Sequence, residues 1–267
     1  MSEEQKAVGF ESEFMAELIP LLAKQPVVYK QAPWTGERPN FDYSDKEPQM
    51  VILMSDESHR AVDYKNCLVF RNYIHPQAPA KNERPIPLPA ADKFNPPDIP
   101  FLERQMIASF SGFVGNKHRK EALDKLLEIK KTYQRLFINV SDGFGKGLSR
   151  EDYSAIMSQT MLAICPFGGS YETFRLTEAL KAGCIPVQIR RPLQWYDPVK
   201  EAIWIDSWDD LPDIMNAFFN TKPLALKERS DLCKKFYLDN LTPQAVANYI
   251  NKEWAKYMEA RYIEISR

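Results

Sequence analysis

The chain reads as an α/β protein built on parallel sheets, and three observations point there. Residues 161–187, MLAICPFGGSYETFRLTEALKAGCIPV, run as buried strand, glycine turn, helix and buried strand. Other short apolar runs with strand character recur along the chain and alternate, in its second half, with helix-forming stretches. The 267 residues are 44% apolar, enough for a sizeable core, and exceed the usual single-domain length. Two domains of about 100 residues or somewhat more fit that length.

Taken in order, residues 11–24 place Phe14, Met15, Leu18, Ile19 and Leu22 at helical spacing, interrupted near Pro20. They predict a packing helix of the first domain. Residues 27–30 suit a short strand. Residues 31–48, rich in Pro, Gly and aromatic side chains (Trp34, Phe41, Tyr43), make a loop. Residues 50–54 are a buried strand, followed at its carboxyl end by Asp56, Glu57 and His59. Functional groups of open α/β sheets gather at such ends. Residues 67–73 form another strand with Arg71 near its end, facing a cleft or paired with a carboxylate. Prolines crowd residues 76–100 and exclude long regular structure.

Residues 105–113 open the second domain as a strand that ends on Ser111 and Gly112. A helix follows over 116–131, with Lys117, His118, Arg119 and Lys120 in its first turn. Cations there oppose the helix dipole unless an anion sits at the helix start. Arg119, and with it Lys117, is therefore a candidate phosphate contact, a solvated basic face being the plain alternative. Residues 135–140 suit the next strand. Lys146, between the glycines of 143–147, is either a phosphate contact or an exposed loop lysine. Ser149 and Asp152 have capping-box spacing and open a helix through 159. Past the central unit come a turn at 192–198, a short strand at 202–205, helices at 211–219 and 223–238, and a last helix over 242–263.

The glycine turn of the central unit suits an anionic ligand. Gly168 and Gly169 let backbone approach closely, and the helix expected over 171–181 offers unpaired N–H groups at its start. Ser170 stands at its N-cap and Gly183 at its C-cap. Arg175 and Glu178, three apart, share one flank, away from Leu176 and Leu180. An arginine one turn in can reach a diphosphate, and a carboxylate one turn further can accept from two ribose hydroxyls. A surface ion pair between the two is the alternative.

Three ordered segments carry a family resemblance. CPFGGSYETFRLTEALKAGCIPV resembles the signature of exostosin-like glycosyltransferases (glycosyltransferase family 47), written CP-x-G, an (S/E)-x-x-x-R-x-x-E-A helix, then GCIPV. FSGFVGNKHR (110–119) and GFGKGLSREDYSAIMSQT (143–160) resemble the two segments that precede it in that group. The similarity covers roughly residues 51–187. It implies a compact GT-B fold, with two Rossmann-like domains facing a cleft and a C-terminal helix that can cross back to the first. The first domain is expected over 1–100, a linker over 88–105, and the nucleotide-sugar domain over 101–267.

The resemblance implies an inverting transferase that moves a sugar from a UDP-sugar donor to a hydroxyl of an oligosaccharide or glycoconjugate. Such a reaction needs a base for the acceptor hydroxyl, and Asp56 is the candidate, ahead of Glu57 and His59. The donor-binding set is Ser111, Gly112, Arg119, Lys146, Gly169, Ser170, Tyr171, Arg175 and Glu178, with Glu172 taking the ribose if the helix begins later. A GDP-sugar transferase of the fucosyltransferase kind and a catalytically inactive, glycan-binding or scaffolding module are the rivals.

Composition bounds the remainder. A net charge of −1 argues against a nucleic-acid coat. No run approaches a membrane span, and exostosins normally carry an anchor that is not read here, so a soluble, cytoplasmic chain is expected. Cys67, Cys165, Cys184 and Cys233 lack disulfide or metal spacing, and His59, His75 and His118 form no zinc pattern. No metal or cofactor is expected beyond the donor itself.

Overall fold

In the computed structural model the residues described are 10–23, 28–31, 47–55, 64–73, 81–143, 145–191, 195 and 199–265. Two compact units make up the chain. The first comprises 1–92, 193–196 and 240–267, the second 93–192 and 197–239.

The first unit holds a parallel sheet of β1 (Val28–Gln31), β2 (Gln49–Met54), β3 (Cys67–Arg71) and β4 (Glu83–Pro85), in that spatial order. Along β2, Met50, Ile52 and Met54 pack under Phe14, Met15 and Leu18 of α1 (Ser12–Leu18) and under Val246, Ala247, Ile250 and Trp254 of α7 (Pro243–Ile265). Val51 and Leu53 join Cys67 and Val69 on the other face. Burial on both faces is why these strands read as unbroken apolar runs. The final helix thus packs on α1, the return that the resemblance allowed. Helix α1 gives way to a 3-10 turn at Ile19–Leu21, where Pro20 stands.

Strand β4 lies within the proline-dense stretch, where only long regular structure was excluded. It is an edge strand, the position where a missing N–H is tolerated. Arg71 pairs with Glu83 at 3.1 Å, and both side chains are almost wholly buried. Of the two readings offered for Arg71, the carboxylate partner is the one observed.

The second unit alternates β5 (Met106–Phe113), α2 (Lys117–Lys130), β6 (Leu136–Ser141), α3 (Arg150–Ser158), β7 (Thr160–Ile164), α4 (Phe174–Lys181), β8 (Ile185–Ile189) and β9 (Ile203–Ile205), then α5 (Leu211–Asn220) and α6 (Pro223–Asn240). Its sheet is fully parallel, in the order β6-β5-β7-β8-β9. Ala108, Phe110, Leu162, Ile164, Ile185 and Val187 form the centre of its core. Asn116 and Ser149 cap α2 and α3 through their side chains. Gly183 closes α4 at φ 66°, and the amide of Cys184 returns to the Ala179 carbonyl at 2.8 Å.

Arg104 bolts the amino end of this sheet. Its guanidinium donates to the carbonyls of Ile99 (3.2 Å), Thr160 (2.8 Å), Gly183 (3.0 Å) and Ala182 (2.7 Å). Among the described residues no helix is long and apolar enough to cross a membrane.

Candidate functional site

The order of the second sheet locates a crevice. From β5 the chain winds outward to β6, then returns to the other side of β5 for β7 and continues to β8 and β9. Connections leave β5 and β7 in opposite directions, so a gap opens outside their carboxyl ends, where ligands of open α/β sheets bind. Ser111 and Gly112 lie among the last three residues of β5, the turn from Pro166 to Ser170 follows β7, and three residues separate β5 from α2.

Arg175, on the first turn of α4, reaches this gap from beneath. Only 9% exposed, it donates through Nη2 to the Ser111 carbonyl and lies 5.0 Å from the centre of the Phe110 ring. Its Nε and Nη1 are buried and have no hydrogen-bond partner among the described residues. A guanidinium carries five N–H donors, and a buried charge is costly unless paired or hydrogen-bonded. Arg104, also buried in the same unit, shows a structural arginine satisfied by four carbonyls. Among the described residues Arg175 is held by one, which leaves donors on Nε and Nη1 to spare.

Gly112 makes that placement possible. Its φ is 144°, outside the range comfortable for a side chain, and a Cβ there would lie 2.7 Å from Arg175 Nη2. The glycine admits the arginine.

Arg119 grips the other end of the same strand terminus. Its Nη1 donates to the Phe113 carbonyl at 3.0 Å, and its amide to the Asn116 side chain at 3.0 Å. Asn116 in turn donates to the Phe167 carbonyl at 3.3 Å, tying the start of α2 to the turn after β7. A Cβ on Gly168 would sit 3.2 Å from Arg119 Nη2. Two guanidiniums therefore bracket the end of β5. Lys117 is different: 83% exposed and 3.6 Å from Glu121, it belongs to the solvated face.

The turn itself departs from expectation. Helix α4 starts at Phe174 with Thr173 at its N-cap, so Ser170 is not the cap. Gln188 of β8 donates to the Tyr171 carbonyl at 3.2 Å, which holds residues 170–172 out of the helix. Ser170 is buried beside the exposed Gly169, Glu172 is half-buried, and Tyr171 is exposed. The Tyr171 ring meets Phe167 edge-on at 5.3 Å and lies under Arg191 at 5.5 Å.

Glu178 and Arg175 are not joined to each other, and neither is on the surface. Glu178 is 3% exposed, accepts from the Tyr153 hydroxyl at 2.9 Å through Oε2, and stands 3.7 Å from Arg150 through Oε1. Enclosure of the Tyr153 hydroxyl, and then the charge of Glu178, raises that phenol well above the ordinary tyrosine range. It stays a donor. Ser111 accepts from Asn139 at 3.2 Å through its hydroxyl. Lys146 is exposed after β6, its stem against Gly143, on the far side of β5 from the gap.

The structure thus gathers Ser111, Gly112, Arg119 and Arg175 with the turn that carries Gly169, Ser170 and Tyr171. Asp56, Glu57 and His59 lie outside the described residues. Tyr153, Arg150, Gln188 and Arg191 were missed, although Tyr153 is the tyrosine of the GLSREDY segment that carried the resemblance. Among the described residues no group of three or more His, Cys, Asp and Glu is placed to hold a metal ion.

A profile of the family described as "Exostosin GT47 domain" matches residues 44–210. Exostosin-1 of Drosophila melanogaster is 27% identical over 120 residues, 42% of this chain and only 16% of that protein. Among solved structures, AviGT4, a glycosyltransferase involved in Avilamycin A biosynthesis, is similar with a TM-score of 0.51 and 11% identity over 96% of this chain and 92% of its own. At that identity the likeness is one of fold, an α/β fold of the GT-B kind. A sucrose-phosphate synthase from Thermosynechococcus elongatus is more distant, at a TM-score of 0.48 and 12% identity over 79% of this chain and 59% of its own.

Proposed function

The chain belongs to the exostosin GT47 family, and on that premise we propose that it is a glycosyltransferase that moves a sugar from a UDP-sugar to a hydroxyl of a glycan acceptor. The observation that carries the reading is Arg175, a buried cation with two guanidinium nitrogens, Nε and Nη1, that have no hydrogen-bond partner among the described residues at the β5–β7 gap. A diphosphate is an anion of the right kind for such donors.

In this reading the acceptor hydroxyl attacks the anomeric carbon while the bond to the diphosphate breaks, and configuration inverts. Charge builds on the leaving oxygen, so fixed cations that need not reorganise lower the barrier most. Arg175 and Arg119 supply them, and Ser170 with Tyr171 lines the turn. The ribose is given to Glu178, with Glu172 as the alternative because α4 begins only at Phe174. Asp56 is proposed as the base that takes the acceptor proton, and no metal is assigned a role.

The test is nucleotide binding by thermal shift and calorimetry, with UDP, GDP, CMP and NAD, with and without EDTA. UDP should stabilise the wild type by about 2.7 kcal/mol at a hundred times Kd, the general mass-action result for one site. Arg175→Ala should abolish the shift, and Arg175→Lys, which keeps charge but loses the planar fork, should retain a fraction of it. A GDP preference would move the donor to a GDP-sugar. Loss of binding in EDTA would overturn the metal-free mechanism. No nucleotide response would overturn the donor site and leave a glycan-binding or scaffolding module.

A further inference from the structure

Arg191, two residues past the end of β8, is half-buried and holds its charge in an unusual way. Its guanidinium carbon lies 5.7 Å from the centre of the Phe167 ring and 5.5 Å from that of Tyr171, and its Nε is enclosed without a hydrogen-bond partner. Among the described residues no carboxylate or carbonyl meets it. Arg84 and Arg229 are half-buried too, and both are bonded: Arg84 to Glu253 at 3.1 Å, Arg229 to the carbonyls of Glu201 and Ala202. Ring faces attract a cation but accept no ordinary hydrogen bond. They hold Arg191 in place and leave its N–H donors to water or a ligand.

The two rings are themselves fixed. Phe167 follows β7 in the glycine turn, and the ring of His118, on the first turn of α2, lies 4.3 Å from its own. Tyr171 meets Phe167 edge-on, and its carbonyl is held by Gln188, a fully buried residue of β8. Arg191 is thus fastened to the turn that Arg119 and Arg175 also approach, but from the opposite side. Those two bracket the end of β5, Arg191 follows β8, and β7 lies between the two strands. Neighbouring strands are about 4.8 Å apart. A single phosphate held on the β5 side does not span that step, whereas a diphosphate does.

We propose that Arg191 binds the second phosphate of the nucleotide, the one whose oxygen leaves the sugar, and so makes this site prefer nucleoside diphosphates over monophosphates. The inference rests on the nucleotide-sugar reading above and adds to it a cation outside the set already assigned there.

The experiment compares Kd for UDP and UMP, by calorimetry, in wild type, Arg191→Leu, Arg191→Gln and Arg191→Lys. Wild type should favour UDP. Arg191→Leu keeps an apolar side chain against the rings and removes the charge. It should weaken UDP about tenfold, the scale of one charge-assisted hydrogen bond, and leave UMP within about twofold of wild type. Arg191→Lys, which keeps the charge without the planar fork, should restore part of the loss. If the leucine variant folds poorly, Arg191→Gln, with a planar polar head, must show the same loss confined to UDP.

An arginine that only braces the turn would, when replaced, weaken UDP and UMP together or lower the melting temperature alone. Either way the ratio of the two affinities stays at its wild-type value, and the proposal is overturned. If wild type binds UMP as tightly as UDP, recognition of a second phosphate fails while the anion site at Arg175 stands. If it binds neither, the nucleotide reading falls and this one with it.

Discussion

Arg104 and Arg175 are the same residue type, similarly buried in one unit, and their surroundings assign them opposite work. Arg104 donates to four carbonyls at the amino end of the sheet, so its charge is spent on the fold. Among the described residues Arg175 donates to one and faces the β5–β7 gap with Nε and Nη1 unpartnered. Stability should separate them. Arg104→Ala strands several buried carbonyls and should cost about 3 kcal/mol or more. Arg175→Met removes a poorly satisfied charge and should leave stability within about 1 kcal/mol of wild type without ligand. Chemical denaturation of both variants, read by far-UV circular dichroism, checks the pair. Equal losses would make Arg175 a second structural arginine. The residue type was legible in the sequence, but its number of partners was not, because those carbonyls come from segments up to 79 residues away.

At the scale of elements, local rules held where local partners decide the matter. Ser149 was expected to cap α3 and does, accepting from the Asp152 amide at 3.0 Å. Ser149→Ala should therefore cost about 1 kcal/mol, measured by urea unfolding. A change within a few tenths would show that water replaces the hydroxyl fully. The start of α4 went otherwise. Ser170 has the right chemistry for an N-cap, but Gln188 on β8 takes the Tyr171 carbonyl at 3.2 Å and the helix waits until Phe174. Tertiary contact overrode a local preference. Strand β4 was hidden for a related reason: prolines forbid a central strand, and only sheet order makes β4 an edge.

For the whole molecule, two facts of connectivity matter. The last helix, α7, completes the core of the first unit with Val246, Ala247, Ile250 and Trp254, although the entire second unit precedes it in the chain. Ending the chain after Asn240 should therefore strip the first sheet of one cover and expose Met50, Ile52 and Met54. Limited proteolysis should then cut within residues 1–92 while the 93–239 region stays protected. An equally resistant first unit would show that α7 is dispensable. The second fact is the β6-β5-β7 order, which opens the gap that Arg175 and Arg119 share. Apolar periodicity, glycines, caps and the three family segments were enough to specify parallel α/β architecture, the strands and helices of the second unit, and most residues around its turn. These are short-range properties, written in neighbouring side chains. Which strand lies beside which, that Gly112 makes room for Arg175, and that Tyr153 holds Glu178 were decided by the tertiary structure alone. The pair Tyr153 and Glu178 is 25 positions apart and the pair Ser111 and Arg175 is 64 apart, separations at which the chain closes contacts that no local pattern records.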